Sequence, residues 1–245
     1  MNKKQLAVFA DFDGTLTLAN GKLSHHLFEL IDLLNSKEIP LIINTGRSVG
    51  WGLFILSHFD VSDVIVENGS VHLSKEFDEN GRTKYLRKLL VSDQNFLLYK
   101  KNLKELKQKL PDLKFSLDSS TRLTDHALEI EHLTIIELDK LKEKLAPWNF
   151  SLSESNIHLH LTCGDHNKKK AMDYFCEKKG WKVEDVIFFG DSYNDECVFE
   201  HYPRTVGVAN IDGYIPNMNF LPNEIMIGAD QEGVLGVLHY MTENF

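Results

Sequence analysis

The stretch VFADFDGTLT, residues 8–17, decides the fold of this chain. Its first half is an apolar run, which predicts a buried β-strand. Two carboxylates, Asp11 and Asp13, lie two residues apart where that strand is expected to stop. Two like charges at one sheet edge repel each other, so this pair indicates a site that binds a cation.

The same stretch offers groups suited to phosphoryl transfer. Asp11 can attack phosphorus if a divalent metal screens it from an anionic substrate, and Asp13 can protonate the leaving oxygen and then activate water. Gly14 permits a sharp turn, and Thr15 adds a backbone N–H and a hydroxyl. The alternative is a turn with solvated acids, but no third acid and no late glutamate follow at the spacing of a calcium loop.

Length and composition describe an ordinary globular protein. The chain has 245 residues, of which 42% are hydrophobic and 26% are charged, so we expect one large domain or a core with an insert. A net charge of −9 argues against nucleic acid or a membrane surface as the main partner, because both favour clustered Lys and Arg.

The cysteines and the N-terminus predict a cytoplasmic location. Cys163, Cys176 and Cys197 show no C-x-x-C spacing and lie in apolar or helical surroundings, as expected of buried thiols in a reducing compartment. The basic start of the chain faintly resembles a signal peptide. Its apolar run ends at Asp11, however, and is too short for the apolar core of one.

A second strand, turn and helix follow the first. The apolar segment 41–44 ends in Thr45-Gly46-Arg47 before a helical segment. Free N–H groups at a helix start, together with the Thr45 hydroxyl, suit phosphate binding; a helix cap without a ligand is the alternative. A third strand meets Asn68-Gly69, where a tight hairpin-like turn could bring Asn68 to the cleft.

From about residue 74 the pattern changes. Extended pieces and two helices no longer alternate strictly, which predicts an inserted α+β domain over residues 74–163 with helices on one face of an antiparallel sheet. His158 and His160 project from one side of a predicted strand, as a polar strand face, a metal site or a substrate contact. Arg122, in a turn, is a candidate for binding a second anionic group; a solvated loop arginine is the alternative.

The α/β pattern resumes after residue 164. In the helix over 167–179, Lys168 falls on the arc set by the apolar residues, whereas Lys170 falls opposite. Lys168 is therefore the lysine that can reach the carboxylates. The strongly apolar strand 186–189 then ends in Gly-Asp-Ser-Tyr-Asn-Asp, which makes Asp191 a candidate metal ligand supported by Asn194 and Asp195.

Taken in order, these segments resemble the four motifs of the haloacid dehalogenase superfamily of phosphohydrolases. The motifs are DFDGTLT with Asp11 and Asp13, INTGR with Thr45, the helical Lys168, and GDSYND from residue 190. The wide gap between the second and third motifs resembles the Cof-type branch, which includes sucrose-phosphate, trehalose-phosphate and mannosyl-phosphoglycerate phosphatases.

The resemblance implies an α/β fold, namely a doubly wound Rossmann-like parallel sheet core with an inserted small α+β cap domain. The core would comprise residues 1–73 and 164–245, and the cap residues 74–163. It also implies Mg²⁺ as cofactor and a small phosphorylated metabolite, such as a sugar phosphate, as partner. A sugar phosphomutase and a catalytically silent binding module are the alternative functions.

The resemblance further implies a role for each site residue. Asp11, Asp13, Thr45 and Lys168 would be catalytic, and Asp11, Asp191 and the main-chain carbonyl of Asp13 would hold the metal. Asp195 would support this set from behind. The predicted substrate-binding residues are Gly46, Arg47, Asn68, Asn194 and Arg122.

Overall fold

A computed structural model describes residues 6–154 and 158–245 of the chain. Its strands are β1 (Ala7–Ala10), β2 (Leu41–Asn44), β3 (Asp63–Val66), β4 (Val71–Phe77), β5 (Thr83–Leu89), β6 (Asp125–Glu129), β7 (Ser151–Glu154), β8 (His158–Thr162), β9 (Val186–Gly190), β10 (Thr205–Gly207) and β11 (Glu224–Ile225). Its α-helices are α1 (His26–Ser36), α2 (Val49–His58), α3 (Asp93–Lys109), α4 (Ile135–Leu145), α5 (Lys168–Lys179), α6 (Glu196–Phe199) and α7 (Val234–Asn244).

The larger sheet has eight strands in the order β11-β10-β9-β1-β2-β3-β4-β5. The six strands from β11 to β3 pair in parallel, and β4 and β5 add an antiparallel edge. The predicted α/β class is therefore confirmed. β1 lies in the middle of this sheet and is fully buried, as its apolar sequence predicts.

Helices cover both faces of this sheet. Val8 and Ala10 of β1 pack into an apolar cluster that includes side chains of α1, α2 and α7. Ala7 and Phe9 point the other way, into a cluster with side chains of α5 and α6. This alternation along one strand is what a doubly wound sheet requires, because each face needs its own helical layer.

The smaller sheet is antiparallel and has the order β6-β8-β7. We call residues 93–162, from α3 to β8, the cap segment. Leu106 of α3 and Leu145 of α4 pack with Leu128, Leu159 and Leu161 on one face of this sheet. The opposite face is polar and carries Asp125 and His160. An isolated antiparallel bridge between Phe115 and Leu128 adjoins this sheet.

The hairpin of β4 and β5 bears on the predicted domain boundary at residue 74. β4 pairs with β3, and β5 pairs with β4 along its length, so residues 71–89 continue the larger sheet. We therefore propose a boundary near residue 90; the division into core and cap domains otherwise stays a prediction.

Two predictions fall partly outside the described residues. These are the basic start of the chain, of which residues 1–5 lie outside, and the predicted inserted domain, of which residues 155–157 lie outside. Within 6–154 and 158–245, none of the helices is both long enough and apolar enough to cross a membrane.

Candidate active site

Four segments converge at the carboxyl edge of the parallel strands. Asp11 follows β1, Thr45 follows β2, Asp191 follows β9, and Lys168 is the first residue of α5. Open α/β sheets bind their ligands at this edge, because the turns that leave the strands meet there. The predicted core residues thus lie together, while the role of each one stays a prediction.

Lys168 is the centre of a buried ionic cluster. Its Nζ donates to Asp11 Oδ1 at 2.7 Å, to Asp195 Oδ1 at 2.6 Å and to Asn194 Oδ1 at 3.2 Å. The lysine is only 1% exposed. By contrast, Lys169 pairs with Asp173 on the same helix. The helical-face argument for Lys168 is therefore confirmed.

The start of α5 is fixed by two asparagines. Asn167 precedes the helix, and its Oδ1 accepts a hydrogen bond from the Lys170 amide. Asn44, the last residue of β2, donates to the carbonyl oxygen of Lys168 at 3.0 Å. Asn44 was not among the predicted site residues, since an asparagine at the end of an apolar strand is indistinguishable from a turn residue.

Asp191 and Asp195 use their oxygens differently. Asp195 Oδ1 contacts Lys168, and its Oδ2 accepts from the amides of Asp191 and Ser192. Asp191 accepts from the Thr15 hydroxyl at 3.1 Å and from Asn210 Nδ2 at 2.8 Å. Both oxygens of each carboxylate are therefore engaged, those of Asp195 by the lysine and backbone amides and those of Asp191 by two side chains.

Two residues lie close to Asp191, namely Gly14 and Asn210, and Asn210 was not among the predicted site residues. Gly14 has φ +78°, and a Cβ there would lie 2.2 Å from Asp191 Oδ2. Asn210 also donates to the Gly14 carbonyl and accepts from the Gly233 amide. Asn210 thus ties three distant segments together, which no local pattern reveals.

The charges of this cluster do not balance. Asp11, Asp191 and Asp195 are buried and have carboxylate oxygens within 4.8 Å of one another, against the single ammonium of Lys168. Burial raises the pKa of Asp11 to about 7, with Lys168 opposing and Asp195 adding to the rise. Burial and Asp11 also raise the pKa of Asp191 well above its usual range.

Lys168 itself stays protonated. Burial lowers its pKa, but the carboxylates of Asp11 and Asp195 raise it by more, so the pKa lies above the ordinary lysine value. A divalent cation beside Asp11 and Asp191 would supply the missing positive charge. Carboxylate oxygens are ligands that Mg²⁺ prefers, so these residues fit the predicted ion.

Arg47 and Asp13 form a second ion pair at the mouth of the site. Arg47 Nε lies 2.6 Å and Nη2 2.5 Å from the two Asp13 oxygens, a bidentate arrangement. The guanidinium carbon also lies 4.3 Å from the ring centroid of Trp51. Both charged side chains are partly exposed, 32% for Arg47 and 42% for Asp13, so an incoming substrate can reach them.

The remaining predicted residues join the core edge to the cap segment. Asn68 donates to Asp125 Oδ2 at 2.9 Å and accepts from Asn194 at 3.4 Å. Gly46 lets it approach, since a Cβ at Gly46 would lie 3.0 Å from Asn68 Oδ1. Asp125 is fully buried and also bonds His160 Nδ1 at 2.8 Å.

Arg122 is not a solvated loop residue. It is 8% exposed, donates to Asp118 at 3.0 Å, and reaches the carbonyl oxygens of Gly46 and Asp125. The interpretation as a solvated arginine is therefore wrong. Since its bonds are made within the protein, its predicted binding of an anionic group stays a prediction.

A carboxylate cluster around a lysine at the carboxyl edge of a doubly wound sheet defines a phosphohydrolase-type site. Comparisons with known proteins agree with this class. Residues 8–219 match the family of haloacid dehalogenase-like hydrolases, and the chain belongs to that family. The Cof-type resemblance is confirmed as well, and the chain is a phosphatase.

Two archaeal relatives are named phosphoglycolate phosphatase. The one from Methanobrevibacter smithii is 28% identical over 85% of this chain and 88% of its own length. The one from Methanothermobacter thermautotrophicus is 25% identical over 93% and 95%. Among solved structures, the sucrose-phosphatase of Synechocystis sp. PCC6803 shares the fold with a TM-score of 0.69 at 18% identity, over 98% of each chain.

Proposed function

We propose that this phosphatase hydrolyses a small phosphomonoester through an aspartyl-phosphate on Asp11, with Mg²⁺ as cofactor. The observation that carries the proposal is the Lys168 ammonium 2.7 Å from Asp11 within a cluster of buried carboxylates. A buried carboxylate beside a cation and a lysine is suited to attack an anionic phosphoryl group, because its own charge is screened.

The proposed steps use the chain's own residues. An oxygen of Asp11 forms a bond to phosphorus while the bond from phosphorus to the leaving oxygen breaks. Asp13 gives its proton to that oxygen, then takes one from water as the water oxygen bonds to phosphorus and the bond from phosphorus to Asp11 breaks, which frees phosphate and restores the carboxylate. Thr45 and Lys168 stabilise charge on the phosphoryl oxygens.

The cation would be held by Asp11, Asp191 and the main-chain carbonyl of Asp13. When bound, it supplies positive charge that screens the substrate from the carboxylates. Asp195, and Asn194 with it, would keep Lys168 oriented.

The leaving group is proposed to be polar, as in a sugar phosphate or a similar metabolite. The face of the cap segment that carries Asp125 and His160 is directed at the core, since Asp125 contacts Asn68. Serines of β7 share that face through their pairing with β8. Hydroxyl and carboxyl groups of a leaving group can hydrogen-bond to such a surface, whereas an apolar group would leave it unsatisfied.

Phosphoglycolate is the second candidate substrate. It is favoured by the names of the archaeal relatives and by the partly exposed Arg47. An arginine beside the general acid could bind the carboxylate of that leaving group bidentately. A cytoplasmic location, which the cysteine pattern favours, is part of the proposal.

A substrate panel tests the proposal. Phosphate release is measured with Mg²⁺ for hexose phosphates, disaccharide phosphates and phosphoglycolate, with Asp11→Asn beside the native protein. We expect release from at least one class and its loss in the variant. Release that survives in Asp11→Asn would contradict the covalent route. Isomerised hexose phosphate without free phosphate would instead select the mutase.

Arg47→Met separates the two candidate substrates. If phosphoglycolate is the substrate, removing the guanidinium should lower kcat/KM for it by roughly 10-fold or more, and by much less for a phosphomonoester with a neutral leaving group. An equal loss of kcat/KM for both substrates would indicate that Arg47 acts only through Asp13. It would argue against recognition of the substrate carboxylate by Arg47.

A further inference from the structure

Glu67 follows β3 directly and was not among the predicted site residues. Its φ is +52°, Asn68 has the same φ, and Gly69 has φ +98°. A residue other than glycine in the left-handed region is uncommon, and strain of this kind gathers at functional sites. The Glu67 side chain is nevertheless 0% exposed, so the strained turn drives a carboxylate into the protein.

The Glu67 carboxylate is bound by donors of the cap segment. Both of its oxygens accept from the Leu123 amide, at 2.9 and 3.1 Å. One oxygen also accepts from the amides of Thr124 and Asp125, at 2.6 and 3.1 Å, and from the Thr124 hydroxyl at 2.6 Å. Hydrogen bonds to a charged acceptor are the stronger ones.

These bonds cross between the two sheets. Glu67 belongs to the edge of the larger sheet, where the Thr45 carbonyl accepts from the Asn68 amide and the Arg47 carbonyl accepts from the Glu67 amide. The donors lie at the start of β6 in the smaller sheet. Ser70 adds a hydroxyl contact to Thr124. The turn over residues 67–69 is thus hydrogen-bonded both to the catalytic edge of the larger sheet and to the cap segment.

The contact also sets which side chains face the core. Asp125, whose amide Glu67 binds, contacts Asn68 and His160. Because the side-chain period of a strand is two, a shift of β6 by one residue would replace Asp125 with a neighbour such as His126, whose side chain lies on the opposite face and contacts α3. Fixing the first residues of β6 therefore fixes the polar surface above the site.

We propose that Glu67 is a positioning residue that anchors β6 to the catalytic edge and so holds the polar face of the cap segment over the substrate. It touches no reacting atom in this account. The anchoring concerns the protein alone; its effect on substrate affinity rests on the function proposed above.

Amide hydrogen exchange of the whole chain tests the anchor without any substrate. In Glu67→Gln, which keeps the shape but loses the charge, we expect the amides of Leu123, Thr124 and Asp125 to exchange about tenfold faster or more, while β1 and β9 keep their protection. Glu76→Gln, an exposed glutamate on β4, is the matched control. Unchanged protection at 123–125 in a folded Glu67→Gln protein would overturn the proposal.

Thr124→Val is the second variant, because it removes one donor and leaves Glu67 in place. It should speed exchange at the same amides by a smaller factor, and unchanged exchange in it would count against the anchor even if Glu67→Gln does not fold. With the best substrate of the panel, Glu67→Gln should raise KM more than it lowers kcat. A fall in kcat alone would overturn the positioning role, and failure of the whole panel would leave the exchange result standing.

Discussion

At the scale of single residues, the site depends on the placement of one positive charge. Lys168 lies among carboxylates that burial and mutual repulsion make costly. Its neighbours Lys169 and Lys170 pair instead with Asp173 and Asp165 near the surface. One helix therefore carries three consecutive lysines with different environments, and the direction of each side chain decides its use.

Lys168→Met should abolish most of the activity. Without the ammonium, charge on the phosphoryl oxygens loses a buried donor, and we expect phosphate release to fall by roughly 10²-fold or more. Lys169→Met is the control and should stay within about twofold, because its partly exposed ion pair with Asp173 lies outside the buried cluster and contributes little. Thermal unfolding of both variants checks that the loss is not unfolding. Near-native turnover of Lys168→Met would contradict the assignment.

At the scale of elements, the start of α5 is packed against the turn after β3. Gly69 has no side chain, and a Cβ there would lie 2.2 Å from the carbonyl oxygen of Asn167. The turn that carries Glu67 and Asn68 thus also sets where α5 begins. The position of Lys168 therefore depends both on α5 and on the turn after β3, which are far apart in the chain.

Gly69→Ala should therefore be more harmful than its backbone angle alone explains. Gly81 has a comparable φ of +74° but nothing within 4 Å of an added Cβ, so Gly81→Ala should cost about 1–2 kcal/mol. Gly69→Ala carries the same strain plus a backbone clash, and should lower the free energy of unfolding by roughly 3 kcal/mol or more. Denaturant unfolding measures both; equal costs would show that the close approach is not rigid.

The cap segment should lose stability in mild acid through His126. Burial lowers the pKa of His126 to about 4, with Lys107 adding to the effect. The unfolded chain therefore binds more protons than the folded one between about pH 6.5 and 4, and the free energy of unfolding falls as the pH drops through that window. For a pKa shift of this size, the free energy of unfolding should fall by about 3 kcal/mol across the window.

His126→Gln isolates this effect, because glutamine does not titrate. Urea unfolding of both proteins from pH 7 to pH 4 should show a steeper loss for the native chain. His239→Gln, on the exposed side of α7, is the matched control. Parallel pH dependences of the native and His126→Gln proteins would contradict the prediction.

The elements that the sequence predicted well are those with local signals. β1, β2 and β9 are continuous apolar runs that end in polar turns, and the face of α5 follows from helical periodicity alone. Glu67, Asn210 and Asp125 were missed because their roles depend on contacts between distant segments. The available signal for Glu67 is an acid directly after a buried strand. The Asn-Gly pattern that follows it instead favours Asn68 as the residue of this turn that reaches the cleft.

At the scale of the whole molecule, the candidate site lies between the larger sheet, whose central strands are parallel, and the smaller antiparallel sheet. The parallel sheet supplies the carboxylates and the lysine at its carboxyl edge, and the antiparallel sheet presents its polar face from above. The hairpin of β4 and β5 continues the larger sheet, although its polar sequence resembles that of the predicted insert. Strand pairing decides which sheet the hairpin joins, and pairing cannot be deduced from composition. Catalysis and leaving-group recognition are thus proposed to come from different sheets.

Trapping the phosphorylated enzyme tests whether Asp11 carries the phosphoryl group. Native protein and Asp11→Asn are mixed with Mg²⁺ and the best phosphate-labelled substrate of the panel, then quenched in acid within the first turnover and digested. We expect label in the native peptide that contains Asp11 and none in the variant. Steady phosphate release with no label on that peptide, or label on another residue, would contradict it.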